Sequence, residues 1–218
     1  MLFGNKMTNQ VKTVAVWDIP VRIFHWSLVL FFAIAYLTGD ESEQWHAYSG
    51  YVVSGLVVFR IIWGFIGTKY ARFSSFVFSP QVIKHYLSSM LDEHPKRYLG
   101  HNPAGGAMVV TLLLSLSLCC WTGLVAYGKE GHGPLAQTSF TTISTAHAKR
   151  DGHDDHGKRT KSQLEGDFWE NTHKFFSHMT LLLAAIHLFG MALSSLSHNE
   201  NLVRAMINGR KESRDGDN

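Results

Sequence analysis

Four apolar runs alternate with polar segments along the chain, at roughly 23–38, 48–67, 104–127 and 175–196. Each is near the length a helix needs to cross the hydrocarbon core of a bilayer, about 20 residues. Soluble core helices can be as apolar, but rarely four times at this length. The pattern predicts four membrane-spanning helices over about 20–39, 45–67, 103–127 and 170–196. Pro20 stands where a proline suits a helix start, and in GHNPAGG Asn102 reads as an N-cap with Pro103 as first helical residue. Ser79 and Pro80 break the second connection and predict a short helix from Gln81 to Leu91. Its apolar side holds Val82, Ile83, Tyr86, Leu87, Met90 and Leu91, fit to lie in a membrane interface or to pack on the end of the bundle. A polar loop fills about 128–169, and no internal repeat is evident.

Composition alone would hide this plan. Hydrophobic residues make up an ordinary 45% of the 218, and the formal net charge is only +3. The first run is not read as a signal peptide: Arg22, Phe24, His25 and Trp26 stand at its start, and TGDESEQW follows without a small-residue cleavage site. The two cysteines, Cys119 and Cys120, are adjacent and badly placed to bridge each other. They read as small buried residues of the third helix.

Charge sets the expected orientation, because Lys and Arg are biased to the cytoplasmic side. Lys6, Lys12 and Arg22 precede the first helix, whereas the next turn has Asp40, Glu41 and Glu43 and no Lys or Arg. Lys69, Arg72, Lys84, Lys96 and Arg97 mark the second connection, and Arg204, Arg210, Lys211 and Arg214 the tail. Arg60, late in the second helix, is expected to snorkel toward that side. Both termini are therefore expected on the cytoplasmic side, with the long loop outside.

Histidines supply the candidate chemistry. An imidazole inside a membrane helix must find a partner, and its default reading is functional. His173 and His187 are 14 residues apart, which puts them on nearly the same helix face and about 21 Å apart along the axis. His46 opens the second helix at the outer level and His25 opens the first at the inner level. His46 with His173, and His25 with His187, thus form two pairs at matched depths. Two histidines on different helices at one depth can clamp an iron from both sides, as in bis-histidine haem ligation within a helical bundle. Gly50, Gly55 and Gly190 would leave gaps for a flat macrocycle, or simply let helices pack closely. Ordinary hydrogen-bonded membrane histidines are the plain alternative. A zinc site is excluded for His173 with His187 by their spacing, and a proton relay often recruits Asp or Glu, which the four runs lack. His178 is turned about 140° from His173 and reads as a packing residue. His132, His147, His153 and His156 fall in a solvated loop where HDDH is at most a weak metal motif, while His85, His94 and His198 read as exposed or interfacial.

With these residues in view, the chain resembles the bacterial cytochrome b561 family of di-haem membrane cytochromes, which includes the b-type cytochrome subunits of nickel–iron hydrogenases. The resemblance rests on VWDIPVRIFHW, WHAYSGY, FRIIWGFIGTKYARFSSF, GHNPAGGAMV, HKFFSHMTLLLAAIH and SHNENLVRAMINGRK, and so covers most of the chain. It implies an all-α, transmembrane four-helix bundle holding two haems b, with His25, His46, His173 and His187 as ligands. The long, histidine-rich outer loop departs from the shorter loops of many relatives.

Two such haems would form an electron wire across the membrane. The expected partners are membrane lipid, quinone, and a periplasmic c-type cytochrome or oxidoreductase subunit such as a hydrogenase; no nucleic acid is expected. The chain would act as a shuttle, as an anchor and electron acceptor for a periplasmic oxidoreductase, or as a superoxide-oxidising quinone reductase. Arg22, Lys69, Arg72 and Arg204 are placed to meet the propionates of the inner haem. His101 and Asn102, with Arg22 and Lys69, are placed to meet a quinone or a propionate at the inner surface. No nucleophile, acid–base constellation or nucleotide fingerprint is found.

Overall fold

The computed structural model describes residues 13–89, 97–136, 161–197 and 199–212. Four long helices dominate it: α1 (Ile19–Thr38), α2 (Glu43–Ile66), α4 (Pro103–Lys129) and α5 (Lys161–Ser197). All four are long and apolar enough to cross a membrane. Shorter elements join them: a 3-10 turn (Phe73–Ser75), α3 (Pro80–Ser89), α6 (Leu202–Asn208) and a two-stranded antiparallel sheet of β1 (Thr13–Ala15) with β2 (Arg210–Glu212).

The chain packs as two antiparallel hairpins, α1 on α2 and α4 on α5, with α2 touching α4. Between α1, α2 and α4, the buried Val53, Val57 and Leu116 form a core with Leu28, Phe31, Phe32, Leu113 and Cys120. Outward, Leu30, Val58, Ile62, Leu114, Leu182 and Phe189 are exposed. Such an apolar exterior suits lipid rather than water.

Local chemistry fixes the helix ends. Asp18 caps α1 by accepting from the Val21 amide at 2.9 Å, and Pro20 sits in the first turn. The second oxygen of Asp18 accepts from Trp63 Nε1 at 3.0 Å and Thr68 Oγ1 at 2.7 Å, which ties the start of α1 to the end of α2. Asn102 caps α4 by accepting from the Gly105 amide at 2.7 Å, with Pro103 following, as its sequence predicts. Gly209 ends α6 in the left-handed region, φ 80°, and its carbonyl accepts from the amides of Val16 and Trp17. That junction places the sheet across one end of the bundle.

The two ends consequently differ. One, here the capped end, carries the sheet, α3, α6 and the loop after α2. An ionic cluster closes it, with Glu200 between Arg97 and Lys211, the latter at 3.1 Å. The other, the open end, carries the turn between α1 and α2 and the end of α4.

Several expectations are corrected. α5 begins at Lys161, so the polar segment expected to run to 169 ends earlier; residues 161–169 mix polar and apolar side chains and do not stand out as an apolar run. The sheet is not foreshadowed in the sequence, because three-residue strands carry no readable period. The surface helix spans Pro80–Ser89 and packs on α4 with Tyr86 buried, while Val82 and Leu87 stay exposed. Met90 and Leu91 lie outside the described residues. Arg60 does not snorkel: it is 4% exposed, under the loop that follows α2.

Candidate haem sites

At the open end, His46 of α2 and His173 of α5 face each other, their ring centroids 5.8 Å apart and their planes crossed at 82°. His46 Nδ1–H donates to the Ala35 carbonyl of α1 at 2.8 Å. His173 Nδ1–H donates to the Cys119 carbonyl of α4 at 2.9 Å. Each hairpin therefore orients one imidazole through its own main chain. A ring whose Nδ1 carries the proton presents Nε2 as a lone pair, the tautomer a metal needs, and such hydrogen bonds hold metal-bound histidines in place. With metal–nitrogen bonds of about 2 Å, two imidazoles on opposite sides of one metal have ring centres roughly 6 Å apart. The pair thus fits an axially ligated iron.

Gly123 makes room for this geometry. A Cβ there would lie 2.9 Å from His173 Cε1 and 3.0 Å from Nδ1. By contrast, a Cβ at Gly50, Gly55 or Gly190 would meet no protein atom within 4 Å, so these positions border open space. Neither Gly123 nor the Cys119 carbonyl can be picked out from the sequence. The signal for Gly123 is its place on α4 opposite His173, which only the packing of α4 on α5 reveals.

At the capped end, His25 of α1 and His187 of α5 lie within electrostatic reach of each other. His25 Nδ1 is buried without a hydrogen-bond partner among the described residues. His187 also acts electrostatically on His101. His101 packs against the rings of Trp17 and Phe76, at centroid distances of 4.6 and 4.8 Å. Burial, then the charges of Arg60, His187 and Lys211, push its pKa down to about 3. It is a neutral hydrogen-bonding group at physiological pH, not the titrating base its unperturbed pKa suggests.

The other sequence candidates separate. Arg22 donates to the Ile207 carbonyl and keeps a buried Nε without a partner among the described residues. Lys69 is exposed, its ammonium 5.5 Å from the centroid of the Tyr70 ring. Arg72 and Arg204 are exposed as well. Asn102 has its side-chain oxygen committed to the α4 cap, which leaves only its amide nitrogen for a ligand. His178 is exposed, bonded to the Lys174 carbonyl and edge-on to Tyr36. His132 pairs with Glu43 at 3.5 Å on the surface of the open end, and the HDDH stretch lies outside the described residues.

The prokaryotic cytochrome b561 family matches the chain over residues 16–209. The chain belongs to that family. Among curated relatives of this cytochrome, a probable Ni/Fe-hydrogenase B-type cytochrome subunit of Rhodobacter capsulatus is 24% identical over 233 residues, covering 93% of this chain and 83% of the relative. The protein of the same description from Bradyrhizobium diazoefficiens is 24% identical over 237 residues, covering 93% and 87%. The probable Ni/Fe-hydrogenase 1 B-type cytochrome subunit of Escherichia coli K12 is 28% identical over 152 residues, covering 56% and 64%. No solved structure matches the chain. The family and the four apolar helices make this a multi-pass membrane cytochrome of the b type.

Proposed function

We propose that this cytochrome carries electrons across the bacterial inner membrane between the quinone pool and a periplasmic oxidoreductase of the hydrogenase kind. Two haems b are held in it, one by His46 and His173 and one by His25 and His187. The observation that carries the reading is the facing pair at the open end, with each Nδ1–H fixed by a main-chain carbonyl and each Nε2 left for iron. With His46 and His173, or His25 and His187, as its ligands, a haem would supply one-electron exchange, and the two imidazoles would leave no position on iron for oxygen. α5 sets the separation of the two levels, since His173 and His187 on one face are about 21 Å apart. The names of the relatives support a hydrogenase partner.

The capped end is the cytoplasmic one in this reading, because the cations of both termini and of the loop after α2 gather there. Thr138→Cys should then react with a membrane-impermeant thiol reagent in intact cells and Ser213→Cys should not, with Cys119 and Cys120 replaced. Quinol would meet the protein near His101, which offers a neutral imidazole, with Arg22 beside α6 as a cation. The purified cytochrome should be reduced by a quinol analogue, seen in the haem absorbance bands. His101→Ala should slow this reduction and leave the dithionite rate unchanged. An equal quinol rate removes His101 from the site; no reduction by any quinol analogue overturns the quinone reading.

A further inference from the structure

α2 turns one stripe inward: His46, Ser49, Val53, Val57, Arg60 and Gly64. Arg60 follows His46 by 14 positions, the same interval that separates His173 from His187 on α5. It therefore stands about 21 Å below His46, nearly on the same face and at the His25–His187 level. A lone cation is the one charged residue in that stripe, and it is buried.

The surroundings hold its guanidinium without satisfying all of its N–H donors. The loop after α2 folds back over it, pressed into notches left by glycine: a Cβ at Gly64 would strike the Phe73 ring at 2.1 Å, and one at Gly106 the Phe76 carbonyl at 2.1 Å. Phe73 and Phe76 then lie 5.3 and 5.7 Å from the guanidinium carbon. Aromatic faces attract the cation but take none of its in-plane N–H donors. Nη1 is buried with no partner among the described residues. Asp18 acts on it electrostatically but has its oxygens engaged by the Val21 amide, Trp63 and Thr68. His101, whose ring centroid is 4.8 Å from that of Phe76, also has a buried Nδ1 without a partner among those residues.

An oriented, desolvated cation of this kind is made for a carboxylate. We propose that Arg60 is the counter-cation of a propionate on the haem held by His25 and His187, an assignment that rests on the ligation scheme above. Its charge offsets that of the propionate next to an iron that gains an electron on reduction. Arg60 is thus a positioning residue that raises the potential of one haem and leaves the other alone.

The test is redox titration of the full cytochrome, with haem per protein measured separately. Arg60→Gln should lower one midpoint by a tenfold change in the reduction equilibrium, about 59 mV for one electron, while the second midpoint stays put. Arg60→Lys should recover most of the shift. Where Arg60→Gln instead loses that haem, restoration by Arg60→Lys supports the assignment and failure to restore it counts against. Reconstitution with haem dimethyl ester, which has no carboxylate, should abolish the difference between Arg60 and its Gln variant. Unchanged midpoints in Arg60→Gln, or an equal shift with the ester, overturns the proposal. Haem content unaffected by His187→Ala would instead sink the ligation scheme, and the two failures are read by different measurements.

Discussion

At the open end, His46 and His173 each give Nδ1–H to a carbonyl on the neighbouring helix, at 2.8 and 2.9 Å, and their rings already face each other. At the capped end, His25 Nδ1 has no such tether, and Arg22, Arg60, Tyr86 and His101 each keep a buried polar atom without a partner among the described residues. A buried polar group without a partner costs about 1–3 kcal/mol. One end is therefore finished by main chain, and the other presents inward-facing groups that main chain does not satisfy. Under the proposed ligation, the open end would hold its iron rigidly. Under the same proposal, the capped end would hold an iron and also meet oxygen atoms of a ligand. A wire whose two stations must differ in potential and in partner needs such a difference.

The ligand substitutions have the largest expected effect on this contrast. His46→Ala or His173→Ala should remove one haem and roughly halve haem per protein, because each haem needs both axial histidines. His25→Ala or His187→Ala should remove the other, leaving the complementary midpoint in a redox titration. Haem content unchanged by any of the four would break the pairing. His178→Ala should leave both haems, since its ring faces Tyr36 and not either pair.

Next is Gly123→Ala, which acts at the open end alone. The added Cβ lies 2.9 Å from the His173 ring, so the imidazole must shift and its bond to the Cys119 carbonyl must lengthen. Overpacking of this sort costs about 1–3 kcal/mol. The haem of the open end should dissociate faster, by roughly tenfold per 1.4 kcal/mol, with the other haem unaffected. Equal loss of both would mean that Gly123 serves helix packing in general.

The membrane helices are legible in the sequence because four apolar runs of spanning length rarely occur in a soluble chain, and the helix starts marked by Pro20, Asn102 and Pro103 are legible because their chemistry is local. The four histidines can be placed in depth because a helix converts residue number into height. What fails to show is set by surfaces meeting. Arg60 reads as a residue near a helix end, and only the loop packed against Gly64 and Gly106 buries it. The notch at Gly123 exists only because α4 lies on α5. His101 can be placed at the inner surface as a quinone or propionate candidate, but nothing local says that Trp17 and Phe76 enclose it.

His101 gives the next effect in size, through its pKa of about 3 in the folded protein. Unfolded, it would titrate near 6.5. Between these values the unfolded chain binds a proton that the folded one does not, so stability is fully present above about 6.5 and falls as pH drops toward about 3. The slope from this residue is at most about 1.4 kcal/mol per pH unit. In unfolding titrations with denaturing detergent at pH 7, 6 and 5, His101→Phe should flatten the decline. Parallel curves for the two proteins would show that His101 is protonated freely in the fold, and the capped end would lose one of its neutral donors.

The smallest effect lies midway between the two ends. Thr180 is seven residues from both His173 and His187 on α5 and is 2% exposed. Its hydroxyl donates to the Phe176 carbonyl at 2.8 Å, so it must accept from Ser115 Oγ–H of α4, at 2.7 Å. This bond pins α4 to α5 between the two ligand levels. Thr180→Val removes the acceptor and leaves the Ser115 hydroxyl buried without it, a loss of about 1 kcal/mol. Ser115→Ala removes only the donor, and Thr180 keeps its bond to Phe176, so the loss should be smaller. The double substitution should be no worse than Thr180→Val alone, because no orphaned donor remains. Haem content and both midpoints should hold in all three variants, since neither hydroxyl touches a ligand. A shift of the open-end midpoint alone would instead show that the lock sets the pose of His173 seven residues away, and would extend the rigid end of the bundle to its middle.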